Sequence, residues 1–391
     1  MSRIKHNIPK LYLMVILRWM LLIMPIVVLF FYDNGLTQTE VMILQSIFSI
    51  GIIVFEIPSG YFSDVLGRRR TLIIGSFISS VGLLVYALSY GFWGFLVAEL
   101  TLGLGSSFIS GTDSAMLYDS LIQIGHAGDY AKIEGRRTSA ANFSETAAAI
   151  LGGLLATVSL RFPFYIETAI MFLTIPLAMS LVEPERQALD NSSGSFRGIL
   201  RIVRFALHEH AEVKWLILYS GLIGASTLTM VWFIQPYLQF VGLPIAWFGV
   251  VWAALNFSVG VFSMVAYKIE KRLGQSLTLS LLIPLSALAY LLSALTPTLW
   301  VIAVFFIFYF VRGLHGPMLK EYVNRLITSD KRATVLSVKN MIGRLIFTLV
   351  GPVVGWAGDA WSFKTAFLLA GGIFLLGGGL ALAFLRKHRV V

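Results

Sequence analysis

Arg18, Glu56, Glu99, Asp113, Glu145, Arg312, His315, Lys339 and Arg344 all stand inside stretches otherwise apolar enough to fill a bilayer. An ionisable group at that depth is costly, so it faces protein or an aqueous path and marks where work is done. Helical rise sets Asp113 and Glu145 at similar depth, about 10 Å inside the cytoplasmic boundary, on neighbouring stretches. Burial and a nearby acid tune a carboxyl toward proton exchange, the property a proton-coupled carrier needs. Arg18, Arg312 and Arg344 fall near mid-depth, and Asn340 shares a helical face with Arg344. Three guanidiniums converging on one space need counter-ions, either the buried acids or an anionic group on a substrate. His315, three residues after Arg312, could titrate near neutrality or simply pack. Nothing here reads as enzyme chemistry. No Walker, hydrolase or zinc spacing occurs, His208-Glu-His210 suits a helical metal site poorly, and Gly103-Leu-Gly105 reads as helix packing. With no cysteine, thiolate metals, disulfides and a catalytic thiol are excluded, and no cofactor is expected.

The elements that carry these residues are membrane spans. The chain of 391 residues is 57% hydrophobic and 13% charged, with a mean hydropathy of +0.81. That balance defines an all-α polytopic membrane protein. Twelve apolar stretches lie at roughly 11–32, 40–59, 71–90, 93–116, 138–160, 163–182, 213–238, 245–267, 276–294, 299–319, 333–356 and 363–385. The first is too long for a signal-peptide core and lacks a small-residue cleavage site, so it reads as a retained span. Most of the 30 lysines and arginines fall in alternate connections and at the two ends, whereas the opposite connections carry Arg161 and Lys364. By the positive-inside rule both termini are cytoplasmic. The net charge of +10 is therefore topology, not a nucleic-acid footprint. Short outer connections suit a bacterial inner membrane, with the lipid bilayer as solvent and a monomer as the expected state.

Organisation is bipartite. The longest connection separates an N-terminal six-helix bundle, 1–185, from a C-terminal one, 213–391. Within the linker, 186–212, Arg197, Arg201 and Arg204 share one helical face opposite Ile199, Ile202, Val203 and Ala206, the pattern of an interfacial helix. Leu66-Gly67 after span two recurs as Leu273-Gly274 after span eight, as two pseudo-symmetric repeats would have it. Charge also sorts the spans. Three, nine and twelve have none in their interiors, and six has only Glu167 near its outer end. At about 100° per residue, Glu99 and Asp113 point within about 40° of each other, on one face of span four.

One polar hairpin carries a more specific signal. Between spans two and three the chain reads Gly60-Tyr-Phe-Ser-Asp64-Val-Leu-Gly67-Arg68-Arg69-Arg70. Gly60 permits close helix approach, Gly67 a tight turn, and Asp64 can hold Arg68. This Gly-x-x-x-Asp-x-x-Gly-Arg-Arg pattern resembles the signature loop of the major facilitator superfamily. The resemblance implies a fold of twelve transmembrane helices in two bundles, with third helices facing lipid and the others lining a cavity. It also implies a gating relay in which a carboxylate at the inner end of span four joins the loop's Asp64 and Arg68. Asp119, in Tyr118-Asp119-Ser120, matches that position.

Phe55-Glu-Ile-Pro-Ser-Gly60, Ser110 to Asp119 and Arg332-Ala-Thr-Val-Leu-Ser337 look like bacterial drug- and metabolite-efflux branches. The chain departs from them twice. Glu99-Leu-Thr-Leu-Gly103 has an acid where antiporter-type members carry a basic residue. The Gly-Pro-x-x-Gly-Gly of span five is reduced to Ala148-Ala-Ile-Leu-Gly152-Gly153, while Gly351-Pro352-x-x-Gly355 appears on span eleven. The expected function is proton-coupled export of small organic molecules by alternating access. Asp113, Glu145, Glu56 and Glu99 are the coupling candidates, and Arg18, Arg312, Arg344, Asn340 and His315 the substrate candidates. A proton symporter importing an organic anion such as a carboxylate, sugar acid or siderophore-like chelate is the alternative. A lipid flippase or non-transporting sensor is a third reading.

Overall fold

A computed structural model describes residues 2–185, 210–327 and 329–388. The linker segment expected to form an interfacial helix lies outside the described residues. Those described are helical throughout, with no strand among them. Hydrocarbon offers no partner for backbone amides, so each crossing must satisfy its own by helix formation. The helices are α1 (Asn7–Arg18), α2 (Val27–Asp33), α3 (Gln38–Leu66), α4 (Arg68–Leu88), α5 (Gly91–Ile109), α6 (Thr112–Gln123) and α7 (Tyr130–Leu155). They continue as α8 (Phe162–Phe172), α9 (Thr174–Met179), α10 (Ala211–Phe240), α11 (Phe248–Leu295), α12 (Val301–Leu326), α13 (Ser329–Ala360) and α14 (Phe363–Lys387).

Nine helical segments among the described residues are long and apolar enough to cross a membrane, and the difference from twelve has three local causes. Span one is split into α1 and α2. Spans eight and nine run together as α11 through Gly274, whose φ of 78° and ψ of 161° interrupt the helix. Span five, α7, is long enough but begins with the polar run Tyr130-Ala-Lys-Ile-Glu-Gly-Arg-Arg.

Residues gather into two compact units. The first comprises 1–37, 47–188 and 244–253, and the second 38–46, 189–243 and 254–391. Short pieces of spans two and eight thus cluster outside their own sequence half. In the first unit a Cβ on Gly249 would stand 2.1 Å from the Ala149 carbonyl, and one on Gly153 2.7 Å from the Gly249 amide. In the second, Gly355 packs on Gln38, Thr39 and Met42. Asp359 there accepts the Gln38 amide at 3.0 Å and the Thr39 amide at 2.7 Å, capping the start of α3. The glycines of the span-five remnant and of the span-eleven pattern therefore do the same job, close approach of backbones.

Each unit has its own core. In the first, Phe30, Phe31, Tyr86, Phe95 and Phe164 form an aromatic cluster, with Phe30 and Phe164 centred 4.0 Å apart. In the second, Tyr219, Leu279, Val311, Tyr322 and Val335 centre a buried aliphatic and aromatic core. Phe77 and Leu88 on α4, and Leu376 and Leu380 on α14, stay exposed and apolar, as lipid-facing positions require.

Candidate functional site

The polar hairpin is tighter than its sequence suggests. Residues 60–66 continue α3 and 68 onward begin α4, so the whole reversal falls on Gly67, at φ 105° and ψ 148°. The side chains of Glu56 and Asp64 lie outside the described residues. Arg68 reaches back, Nη1 donating to the Ser63 hydroxyl at 2.8 Å and Nε lying 3.4 Å from Asp119 Oδ2. Glu183 was not anticipated. Its carboxylate accepts the Arg68 amide at 2.8 Å and the Arg69 amide at 2.7 Å, capping α4 where the helix dipole is positive. A Cβ on Gly67 would meet that carboxylate at 3.1 Å. Gly67→Ala is therefore expected to lose about 1–3 kcal/mol through left-handed strain and a displaced cap. Thermal unfolding in detergent checks this, with Gly128→Ala, open on all sides, as the neutral control.

Span four is not one continuous helix. It stops at Ser110, turns on Gly111 (φ 76°) and restarts as α6. The shared face expected for Glu99 and Asp113 assumed an unbroken helix, and the interruption separates them. Glu99, 4% exposed, accepts the Tyr86 hydroxyl within the aromatic cluster. Asp113 sits in the first turn of α6, where the dipole favours an anion.

Around Asp113 the first unit assembles a charged cluster. Arg137, one residue ahead of the apolar stretch 138–160 and so a connection charge by hydropathy, is 4% exposed and donates to Asp113 Oδ2 at 2.6 Å. Its Nη1 lies 3.1 Å from Glu134, which also accepts the Ser114 hydroxyl at 2.8 Å. Arg18, the last residue of α1, stands 3.8 Å from the same Asp113 oxygen. Two guanidiniums thus share one carboxylate, one tightly and one loosely. Glu145 is half-buried on α7, next to Ser144, whose hydroxyl donates to the Ile16 carbonyl at 2.8 Å.

Within the second unit, His315 Nε2 lies 2.9 Å from both the hydroxyl and the carbonyl of Ser220. A carbonyl only accepts, so Nε2 carries the proton. Arg312 and Lys339 border this ring. Arg312 and Asn340 are exposed, while Lys339 and Arg344 are half-buried.

Span one carries a feature that apolar periodicity concealed. Between Arg18 and Val27 the backbone is not helical, and Glu167 of α8, 2% exposed, accepts the Ile23 amide at 2.9 Å. Pro25, which donates no amide, was the available signal.

Twelve apolar segments, a one-residue turn on the signature glycine, the Arg68–Asp119 contact and split helices bordering charged clusters define a polytopic carrier fold. The Major Facilitator Superfamily profile matches residues 11–350, and the chain belongs to that family. It is a transporter, not an enzyme. Among relatives, it is 22% identical to the uncharacterized MFS-type transporter YxaM of Bacillus subtilis, over 90% of this chain and 88% of that one. It is also 22% identical to the quinolone resistance protein NorA of Staphylococcus aureus, over 53% of each chain. The nucleoside transporter NupG superposes with a TM-score of 0.83 at 15% identity, covering 97% of this chain and 99% of that one. A bacterial homolog of the human lysosomal transporter Spinster gives 0.77 at 15%, covering 98% and 97%.

Proposed function

We propose that this transporter is a proton-coupled exporter of small organic molecules, working by alternating access of an N-terminal half, 1–185, and a C-terminal half, 213–391, joined by the linker 186–212. Similarity to NorA, named for quinolone resistance, favours efflux. One observation carries the coupling assignment: Asp113 is held at 2.6 Å by Arg137 and at 3.8 Å by Arg18. Guanidiniums at that range favour a carboxylate's charged form, so a conformational change that parts them is the step that would let it take a proton. Asp113, with Glu145, Glu56 and Glu99, supplies the proton sites. Arg18, Arg312, Arg344, Asn340 and His315 face the substrate, and Gly60, Asp64, Gly67, Arg68 and Asp119 form the gating relay. The protein acts as a monomer in a bacterial inner membrane, with both termini cytoplasmic and the bilayer as its solvent.

The loose Arg18 contact also favours a second reading. A proton on Asp113 frees Arg18 for an anion, so proton and organic anion bind together, the logic of a symporter. Substrate-triggered proton flux in proteoliposomes, with quinolones and small carboxylates as test compounds, separates the two by its sign. Export predicts counterflow of protons, and Asp113→Asn is expected to lower it at least tenfold. Flux unchanged in both Asp113→Asn and Glu145→Gln removes the coupling assignment.

A further inference from the structure

Glu167 lies outside every cluster assigned above, and its setting is unusual for an acid. Its helix, α8, packs against α1, α4, α7 and α9. One turn before it, Phe164 stacks on Tyr86 and lies against Phe30, so the surroundings are aromatic and dry. Among the described residues no cation pairs with it. Its hydrogen-bond partner is the amide of Ile23, at 2.9 Å, in the non-helical stretch of span one, where the Leu22 amide turns instead to the Met20 carbonyl at 3.0 Å. The charged and titratable groups on neighbouring elements are committed elsewhere or lie at other depths. Tyr86 of α4 donates to Glu99 of α5. Arg18 of α1 pairs with Asp113, and Glu145 of α7 is two turns below Gly152. Arg161, preceding α8, donates to the carbonyls of Ala87 and Ser89 and to Asn34. The helix α9 carries no titratable group.

Span one is pinned at this point from both sides. The Leu22 carbonyl rests against Gly152, where a Cβ would stand 1.9 Å away, while Glu167 takes the Ile23 amide. The lower half-helix ends at Arg18, five residues before Ile23 and 3.8 Å from Asp113. A buried carboxylate with no cation partner among the described residues is held by this amide, so its charge and the backbone geometry of the break are two sides of one equilibrium.

We propose that Glu167 is a proton-binding site that sets the conformation of the span-one break and, through Arg18, the hold on Asp113. Ionised, it accepts the Ile23 amide and fixes the break. On taking a proton from water, one oxygen becomes an O–H donor, the charge-assisted bond is lost and α1 is freed to shift relative to α2. Release of the proton restores the hold. This site deepens the proton-coupled reading and rests on it for its role in transport, but its titration can be observed without any substrate.

The absence of cysteine allows a single spin label at Leu21→Cys, in proteoliposomes scanned across the neutral pH range. With Glu167 present, the label's mobility is expected to pass through one transition. Glu167→Gln is expected to abolish it and Glu167→Asp to keep it at a shifted midpoint. A flat profile with Glu167 present, or a transition surviving Glu167→Gln, overturns the proposal. Should Glu167→Gln fail to fold, an unmoved midpoint in Glu167→Asp overturns it equally. A transition that follows Glu167 while substrate-triggered proton flux is missing would sink the coupling reading and leave the site standing.

Discussion

Gly152→Ala is expected to be the most damaging single methyl group that can be added to this protein. The new Cβ would stand 1.9 Å from the Leu22 carbonyl oxygen and 2.7 Å from its carbonyl carbon. Both atoms belong to backbone, which has no rotamer to escape into. Overpacking in a close-packed interior typically costs about 1–3 kcal/mol, and a backbone partner pushes this case to the upper end. The displaced segment also carries the Ile23 amide bound to Glu167 and leads to Arg18. Transport should therefore fall together with stability. The control lies on the same helix: Gly135 has nothing within 4 Å, so Gly135→Ala should gain about 0.5–1 kcal/mol of helix preference. Thermal unfolding of the two variants in detergent decides the matter. Equal midpoints would mean that span one does not rest on Gly152.

Removing Arg137 should have an effect of similar size for an electrostatic reason. Arg137→Met leaves the more distant Arg18 as the cation beside Asp113, and takes from Glu134 the guanidinium at 3.1 Å. Deleting one member of a fully buried pair typically costs about 3–5 kcal/mol; Asp113, 16% exposed, and Glu134, 29% exposed, keep some solvent, so about 1–3 kcal/mol is expected here. Arg137→Lys should lie between, since an ammonium keeps the charge but cannot span Asp113 and Glu134 as the guanidinium does. Adding Asp113→Asn to Arg137→Met should recover part of the loss, the stranded charge having gone. A double-mutant cycle on unfolding midpoints measures this. Strict additivity would show that the two side chains, though 2.6 Å apart, do not depend on each other.

These two positions also mark where sequence reasoning reached and where it stopped. The hairpin around Gly67 was legible because its parts are close in sequence and each residue type has a narrow range of uses. Its partner Glu183 was not, being more than a hundred residues away. Arg137 looked like a cytoplasmic loop charge because hydropathy gave span five a later start than α7 has. Glu99 and Asp113 were set on one face by counting through Gly111, whose positive φ restarts the helix. Asp113 nevertheless sits in a charged cluster with Arg18.

The order of residues alone determined the membrane class, the span count and the charge asymmetry, because each is a property of local composition against a slab of fixed thickness. It also exposed the signature turn. Only the tertiary structure decided that span one is interrupted, that Glu167 accepts its Ile23 amide and that Gly152 bears its Leu22 carbonyl. The Glu167 contact joins residues 144 positions apart, and an apolar run reads the same whether its backbone is wound or broken. What breaks it is a neighbour that can accept an amide or admit a carbonyl, and hydropathy carries no trace of that neighbour.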